Sequence, residues 1–272
     1  MSRRKLLNLI DNASNKLPDN KKFLNDVMTC IERSNQLAGY KPSKWYKPSS
    51  LHCMRSMYFV RTEAPVDTTA TDYQSIGMAD TGTRRHEAIQ EALLKMKELG
   101  YDWEYVDVAK YVEEKQKQGK CKTLKVLGSA GAETHLFDSF LKISFRADGI
   151  IKKISTGEYF LFEFKNQTSF KYSGKECVDE AHIDQVICYC TALDLDKAFV
   201  LYENRDLCQL ECPEIFEVTD KMKQICVDKI MECEGYVERM IPPPKTEDTK
   251  NCRWCKYKTI CQKYKTICQK VG

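Results

Sequence analysis

The sequence predicts an α/β fold. A strand–turn–strand unit lies at 141–165, a helical stretch at 176–196 runs directly into the apolar strand Lys197–Glu203, and further helical repeats stand before and after. In LKISFRADGIIKKISTGEYFLFEFK the first strand runs from Ile143 to Ile154 and the second from Tyr159 to Lys165. Ser155-Thr156-Gly157-Glu158 between them has the composition of a tight turn. Strand alternation puts Tyr159, Leu161, Glu163 and Lys165 on one face and Phe160, Phe162 and Phe164 on the other. A Glu-x-Lys pair closing so apolar a strand is costly to bury without a role.

The remaining elements follow in order. Residues 1–40 read as helix in two pieces broken near Pro18, with Gly39 as a stop. The basic, aromatic lead-in at 41–50 ends at Ser49-Ser50, which read as the cap of a helix from Leu51. Thr83 is read as the cap of a second helix, whose stripe is Ile89, Leu93, Met96 and Leu99, closed by Gly100. Tyr105–Tyr111 and Leu124–Leu127 read as strands, separated by an exposed Lys/Glu/Gln-rich turn at 113–122. After the hairpin, NQTSFKYSGK at 166–175 interleaves Phe170 and Tyr172 with Lys171 and Lys175, a composition suited to a nucleic-acid strand. Cys208–Val218 is a further strand, and Thr219–Met240 a long helix ended by Pro242-Pro243-Pro244. The organisation expected is a helical extension at 1–50, a core at 51–241 and a cysteine-bearing segment at 242–272.

Composition bounds the function classes. The chain has 272 residues, 42% hydrophobic and 30% charged, enough for one large core. Its 43 basic and 39 acidic residues leave +4, mild support for a polyanionic partner. No apolar run has the roughly 20 residues a membrane span needs, so no membrane partner is expected. The basic start lacks the apolar stretch of a signal peptide, so a cytoplasmic location is expected. In that setting the 14 cysteines stay reduced, and clustered ones read as metal ligands.

Two constellations carry chemistry. Asp148 and Glu163, 15 positions apart, offer two carboxylates suited to Mg²⁺ or Mn²⁺, and Lys165 beside them can hold or activate a water for attack on phosphorus. His86 lies in the first turn expected of its helix, and Gln185 and Tyr189, four apart, share one helix face. In the tail, Cys252-x2-Cys255-x5-Cys261 has the spacing of successive ligands on one centre. The heptapeptide YKTICQK occurs twice, at 257–263 and 264–270, so a fourth ligand has three sources: Cys53, Cys268 or a histidine.

Gly82-x3-His86, Asp148, Glu163-x-Lys165 and Gln185-x3-Tyr189, in that order, resemble the RecB-type branch of the PD-(D/E)xK nucleases. Cys53 followed by the tail cysteines resembles its iron–sulfur members, the AddB-type recombination nucleases and stand-alone CRISPR-associated exonucleases. The resemblance spans about residues 50 to 261; Ala147 stands where the superfamily name has proline. It implies a mixed central sheet flanked by helices, clasped by iron–sulfur at the chain's two ends. His86, Asp148 and Glu163 would bind the divalent metal, with the histidine favouring Mn²⁺ over Mg²⁺. Lys165 would position water, and Gln185 and Tyr189 would hold the active-site strand or the DNA backbone. Cys53, Cys252, Cys255 and Cys261 would ligate a [4Fe–4S] cluster. The implied function is metal-dependent DNA hydrolysis, as an exonuclease on single-stranded or duplex ends, in recombination, repair, replication processing or CRISPR adaptation. No P-loop is present, so a helicase or a recombination or CRISPR protein is the implied partner. Two other readings remain: a catalytically silent DNA-binding or scaffold protein of the same fold, and a zinc-binding module.

Overall fold

Alternating apolar residues in the second half of the chain build a mixed six-stranded sheet with helices on both faces. A computed structural model describes residues 18–38, 43–67, 72–130, 133–172, 177–245, 252 and 255–268, the last four as backbone. The residues read as the first helical piece, the Gly39 stop, Lys175 and the side chain of Cys268 lie outside these described residues. The chain divides into two compact units, Met1–Lys41 with Thr68–Thr83, and Pro42–Asp67 with Arg84–Gly272. The smaller unit contains helix α1 (Asp19–Ala38). Within it Glu32 Oε1 accepts from the backbone N–H of Tyr73 at 2.9 Å.

In chain order the larger unit holds α2 (Met54–Arg61), the second part of α3 (Tyr73–Lys95), β1 (Trp103–Val106), α4 (Val108–Lys117), β2 (Leu124–Ala130), β3 (Glu133–Asp138), β4 (Ile143–Ala147), β5 (Gly149–Lys153) and β6 (Tyr159–Gln167). It continues through α5 (Ser169–Tyr172), α6 (Glu180–Leu193), β7 (Lys197–Asn204), β8 (Gln209–Glu211), β9 (Phe216–Glu217), α7 (Asp220–Glu238) and α8 (Lys258–Cys268). The central sheet has the order β1-β5-β6-β7-β8, with β9 also on β7. Among the described strands only β6 and β7 are parallel, joined by the α6 crossover. A three-stranded antiparallel sheet, β2-β3-β4, stands beside it. No helix of the described residues is long and apolar enough to cross a membrane.

The alternation of β6 sorts its side chains as the sequence requires. Leu161 joins the large core with α6 and α7, whereas Phe162 and Phe164 join a second cluster with Ile89 and Leu93 of α3. Leu94 and Leu99 stay exposed, so the apolar stripe of α3 is shorter than its pattern suggests.

Five elements differ from the sequence reading, one of them 208–218, read as one strand but forming the two short strands β8 and β9, each paired to β7. The strand read over 143–154 is two strands in different sheets, broken at Asp148. The bend is specific, because a Cβ on Gly149 would meet the Tyr105 ring at 2.5 Å. The stretch 108–117 is helix rather than strand and turn. Asp107 caps it, accepting from Ala109 N and Lys110 N at 2.9 and 3.1 Å, and Val108, Tyr111 and Val112 form its buried face. Thr83 lies inside α3, its hydroxyl bonded to the Ala79 carbonyl, because that helix begins at Tyr73. Cys53, not Ser49-Ser50, is the N-cap residue of α2.

The larger unit begins at Pro42 rather than near 51. Tyr46 is the reason: it is fully buried and bridges to Ile143. Its hydroxyl donates to Glu234 Oε1 at 2.6 Å, and Arg61 Nε and Lys142 Nζ reach the same carboxylate at 2.7 and 2.5 Å. Burial would raise Glu234, but these donors hold it down at about 2. Its stabilising contribution is therefore present above the ordinary carboxylate range and lost as pH falls toward 2. Glu234→Gln is expected to cost about 3 kcal/mol at pH 7 and almost nothing near pH 2. Urea denaturation at both pH values checks this; equal midpoints at pH 7 would show that the carboxylate contributes nothing.

Candidate active site

The split between β4 and β5 places the first carboxylate. Strand β5 pairs with β6 from Gly149 opposite Phe162, and beyond that point the chain leaves for the smaller sheet. The Phe164 N–H would lose its partner there, and Asp148 Oδ2 accepts it at 2.7 Å. Asp148 is fixed from behind as well. Gln90 Nε2 and Tyr105 Oη donate to its carbonyl at 2.8 and 3.0 Å. His86, on α3, brings Nδ1 to 3.4 Å from Asp148 Oδ1, and its ring meets Phe164 edge-on with centroids 4.8 Å apart.

Glu163 and Lys165 project from the opposite face of β6 to the three phenylalanines, toward α6. Lys165 Nζ lies 2.7 Å from Glu163 Oε1 and donates to Gln185 Oε1 at 2.9 Å. Gln185 Nε2 donates to Glu163 Oε1 at 2.8 Å and meets Tyr189 Oη at 2.9 Å. Tyr189 Oη in turn donates to the Arg146 carbonyl at 3.2 Å. One helix turn between Gln185 and Tyr189 thus ties α6 to the strand holding Glu163 and to the end of β4. Glu163, Lys165, Gln185 and Tyr189 belong to this network, while Asp148 and His86 meet β6 at the adjacent Phe164.

Glu163 is 2% exposed, and its Oε2 is buried with no hydrogen-bond partner among the described residues. Burial pushes its carboxyl up to about 7, and the nearby Asp148 carboxylate pushes the same way, against Lys165 and His86. For His86, burial acts downward, but the hydrogen bond and charge of Asp148, with Glu163, carry it above the ordinary imidazole value. A raised carboxyl binds a proton in the folded state that the unfolded chain releases. Stability therefore falls as pH rises from the ordinary carboxylate range to about 7. In protein kept in chelator, Glu163→Gln is expected to raise stability by ~2 kcal/mol at pH 8 and by much less at pH 5. Thermal melts at both pH values check this; a lower melting temperature at pH 8 would contradict it.

The tail cysteines occupy a second location. Cys53, Cys252, Cys255 and Cys261 line one cavity of about 140 Å³ with Arg55, Phe59 and Tyr257. The tail reaches it by packing on α2. Arg55 Nε donates to the Pro243 carbonyl at 2.8 Å, and Phe59 meets the rings of Tyr257 and Tyr264 at 5.5 and 6.0 Å. Asp67 bridges to the tail too, its N–H bonded to the Lys256 carbonyl and its Oδ2 to the Thr259 N–H. Burial raises the Cys255 thiol, and Cys53, Cys261 and Cys252 add to that. Among the described residues, no three His, Cys, Asp or Glu side chains are already arranged to hold a metal ion, in this cavity or around Glu163.

A feature not read from sequence adjoins Lys165. Glu203, nearly fully buried in β7, accepts from Arg85 Nε at 3.0 Å and from Asn166 Nδ2 at 2.7 Å. Arg85 directly precedes His86, so the ion pair fixes the turn of α3 that presents the imidazole.

No protein-family model matches the sequence. No curated protein matches it either. Among solved structures, one titled "Crystal structure of SSO0001" is similar at 17% identity and a TM-score of 0.45, covering 88% of this chain and 96% of its own.

Proposed function

We propose that this chain is a metal-dependent DNA nuclease of the RecB-type PD-(D/E)xK kind, hydrolysing phosphodiester bonds at DNA ends. The observation that carries the reading is Glu163 Oε2. A buried carboxylate oxygen with no donor among the described residues, near a second carboxylate and an imidazole, is an acceptor suited to a cation. The donor set fits a hard divalent ion, with the His86 nitrogen favouring Mn²⁺ over Mg²⁺. The charges of Asp148 and His86 both act on the Glu163 carboxyl, which supports the three as one donor set.

His86, Asp148 and Glu163 would hold the ion, which when bound supplies Lewis acidity at the phosphoryl oxygen and a more acidic water. Lys165 keeps its ammonium against Glu163 and Gln185, where it positions water and offsets charge developing on the phosphate. Gln185 holds both Lys165 and Glu163, and Tyr189 anchors Gln185 to the β4 end. Arg85 and Glu203 steady the helix turn bearing His86.

The four cysteines fit a [4Fe–4S] cluster as a structural clasp. Their donor chemistry is all thiolate, and they line a single cavity between α2 and the tail. A zinc-binding module is the second reading that the same thiols support, and colour separates the two. Purified protein incubated with 5′- and 3′-labelled single-stranded and duplex DNA, with Mn²⁺ and Mg²⁺ in parallel, tests the function. Progressive shortening from one end is expected. Intact DNA under every condition would favour a silent DNA-binding or scaffold protein.

A further inference from the structure

The strand ends next to Lys165 carry an exposed aromatic ring on a fixed mount. Phe170 is 94% exposed, whereas Tyr172, two residues on, is half-buried against the core. The backbone beneath the ring is firmly held. Ser169 donates to Asp206 Oδ2 from its N–H at 2.9 Å and from its hydroxyl at 2.6 Å, and the hydroxyl also meets Asn204 Oδ1 at 3.0 Å. Lys171 N and Tyr172 N both donate to the Thr168 carbonyl, at 2.9 and 3.0 Å. The order of the segment and the exposure of the ring therefore coexist.

A lone exposed phenylalanine is ordinary; its neighbours make this one informative. Arg205 follows β7, and its guanidinium is oriented by the neutral amide of Asn166, with Nε 2.6 Å from Asn166 Oδ1. Of the carboxylates around it, Glu203 is engaged by Arg85 and Asn166, and Asp206 is hydrogen-bonded to Ser169 while also feeling the Arg205 charge. Lys171, the next residue, is exposed. Phe170 lies five positions after Lys165, within about 18 Å along an extended chain. Cations flanking an aromatic face are the elements by which proteins grip unpaired nucleic acid, through phosphate charge and base stacking.

We propose that Phe170 is a stacking platform for a base of single-stranded DNA, with Arg205 and Lys171 on the flanking phosphates. The inference rests on the nuclease reading and deepens it by assigning a preference for unpaired strand. In a duplex both faces of each internal base are already stacked, so the ring offers nothing there.

The test uses the full-length chain carrying Asp148→Asn, so that DNA is bound but not cut. Fluorescence anisotropy is measured with a labelled single-stranded oligonucleotide and a duplex of equal length. Phe170→Ala is expected to weaken single-strand binding by about 10-fold, with little change for the duplex. Phe170→Trp is expected to restore it. Unchanged single-strand affinity in Phe170→Ala overturns the proposal, as does equal loss on both substrates or failure of tryptophan to restore binding. If the chain without Asp148→Asn cuts DNA while Phe170→Ala binds like its parent, the platform alone fails. If neither form binds DNA, the nuclease reading fails with it.

Discussion

Replacing Asp148, Glu163 or Lys165 by alanine is expected to reduce DNA cleavage by roughly 10²–10⁴-fold or more while leaving the chain folded. Each removes a different contribution. Asp148 is the carboxylate beside His86, and it also caps the Phe164 N–H, so Asp148→Asn is the cleaner variant for separating charge from structure. Glu163 carries the unpartnered oxygen. Lys165 lies 2.7 Å from the other oxygen of the same carboxylate. His86→Ala should cripple cleavage less, with partial recovery at high Mn²⁺, because one of three proposed ligands is lost and the carboxylates remain. Circular dichroism and melting curves establish folding; near-unaltered turnover in any of the three alanine variants would remove that residue from the assignment.

The second large effect concerns the cysteine cavity. Cys53→Ala, Cys252→Ala, Cys255→Ala and Cys261→Ala are each expected to abolish the brown colour and iron content. Cys268→Ala is expected to be nearly silent. Cys53 and Cys252 lie about 200 positions apart, and closing a loop that long contributes roughly 5 kcal/mol by chain entropy. A cluster there would not be the sole attachment, because Arg55 and Phe59 of α2, and Asp67 beyond it, already hold the tail. The measured loss should therefore fall below that figure, and proteolysis should begin in the tail. Iron retained in Cys261→Ala but lost in Cys268→Ala would transfer the ligand to the second YKTICQK copy. A colourless protein with stoichiometric zinc would replace the cluster altogether.

Periodicity made part of this architecture legible. The alternation of β6 sorts Leu161 from Phe162 and Phe164, and the i, i+4 spacing of Gln185 and Tyr189 places both on the α6 face that meets Glu163. Other features left no such trace. A stretch that reads as one strand does not reveal that its two halves pair in different sheets, so the break at Asp148, which sets the carboxylate, was hidden. Its signal was local: a glycine after the aspartate, needed because Tyr105 covers it. Asp107 before Val108, Tyr111 and Val112 carried both the cap and the spacing of a helix, yet its β-branched residues read as strand. The Arg85–Glu203 pair spans 118 positions and the Tyr46–Glu234 bond 188. Each member alone is an unremarkable charge or aromatic in the sequence, and only the fold brings them together.

The most direct measurement is cleavage of end-labelled single-stranded DNA by the purified chain, first in chelator and then across a Mn²⁺ titration, with Lys165→Ala in parallel. No product in chelator, saturable cleavage on adding Mn²⁺ and none from Lys165→Ala at any Mn²⁺ level are the expected results. Cleavage that ignores the chelator, or that Lys165→Ala reproduces, would contradict a metal-dependent reaction at Glu163 and Lys165.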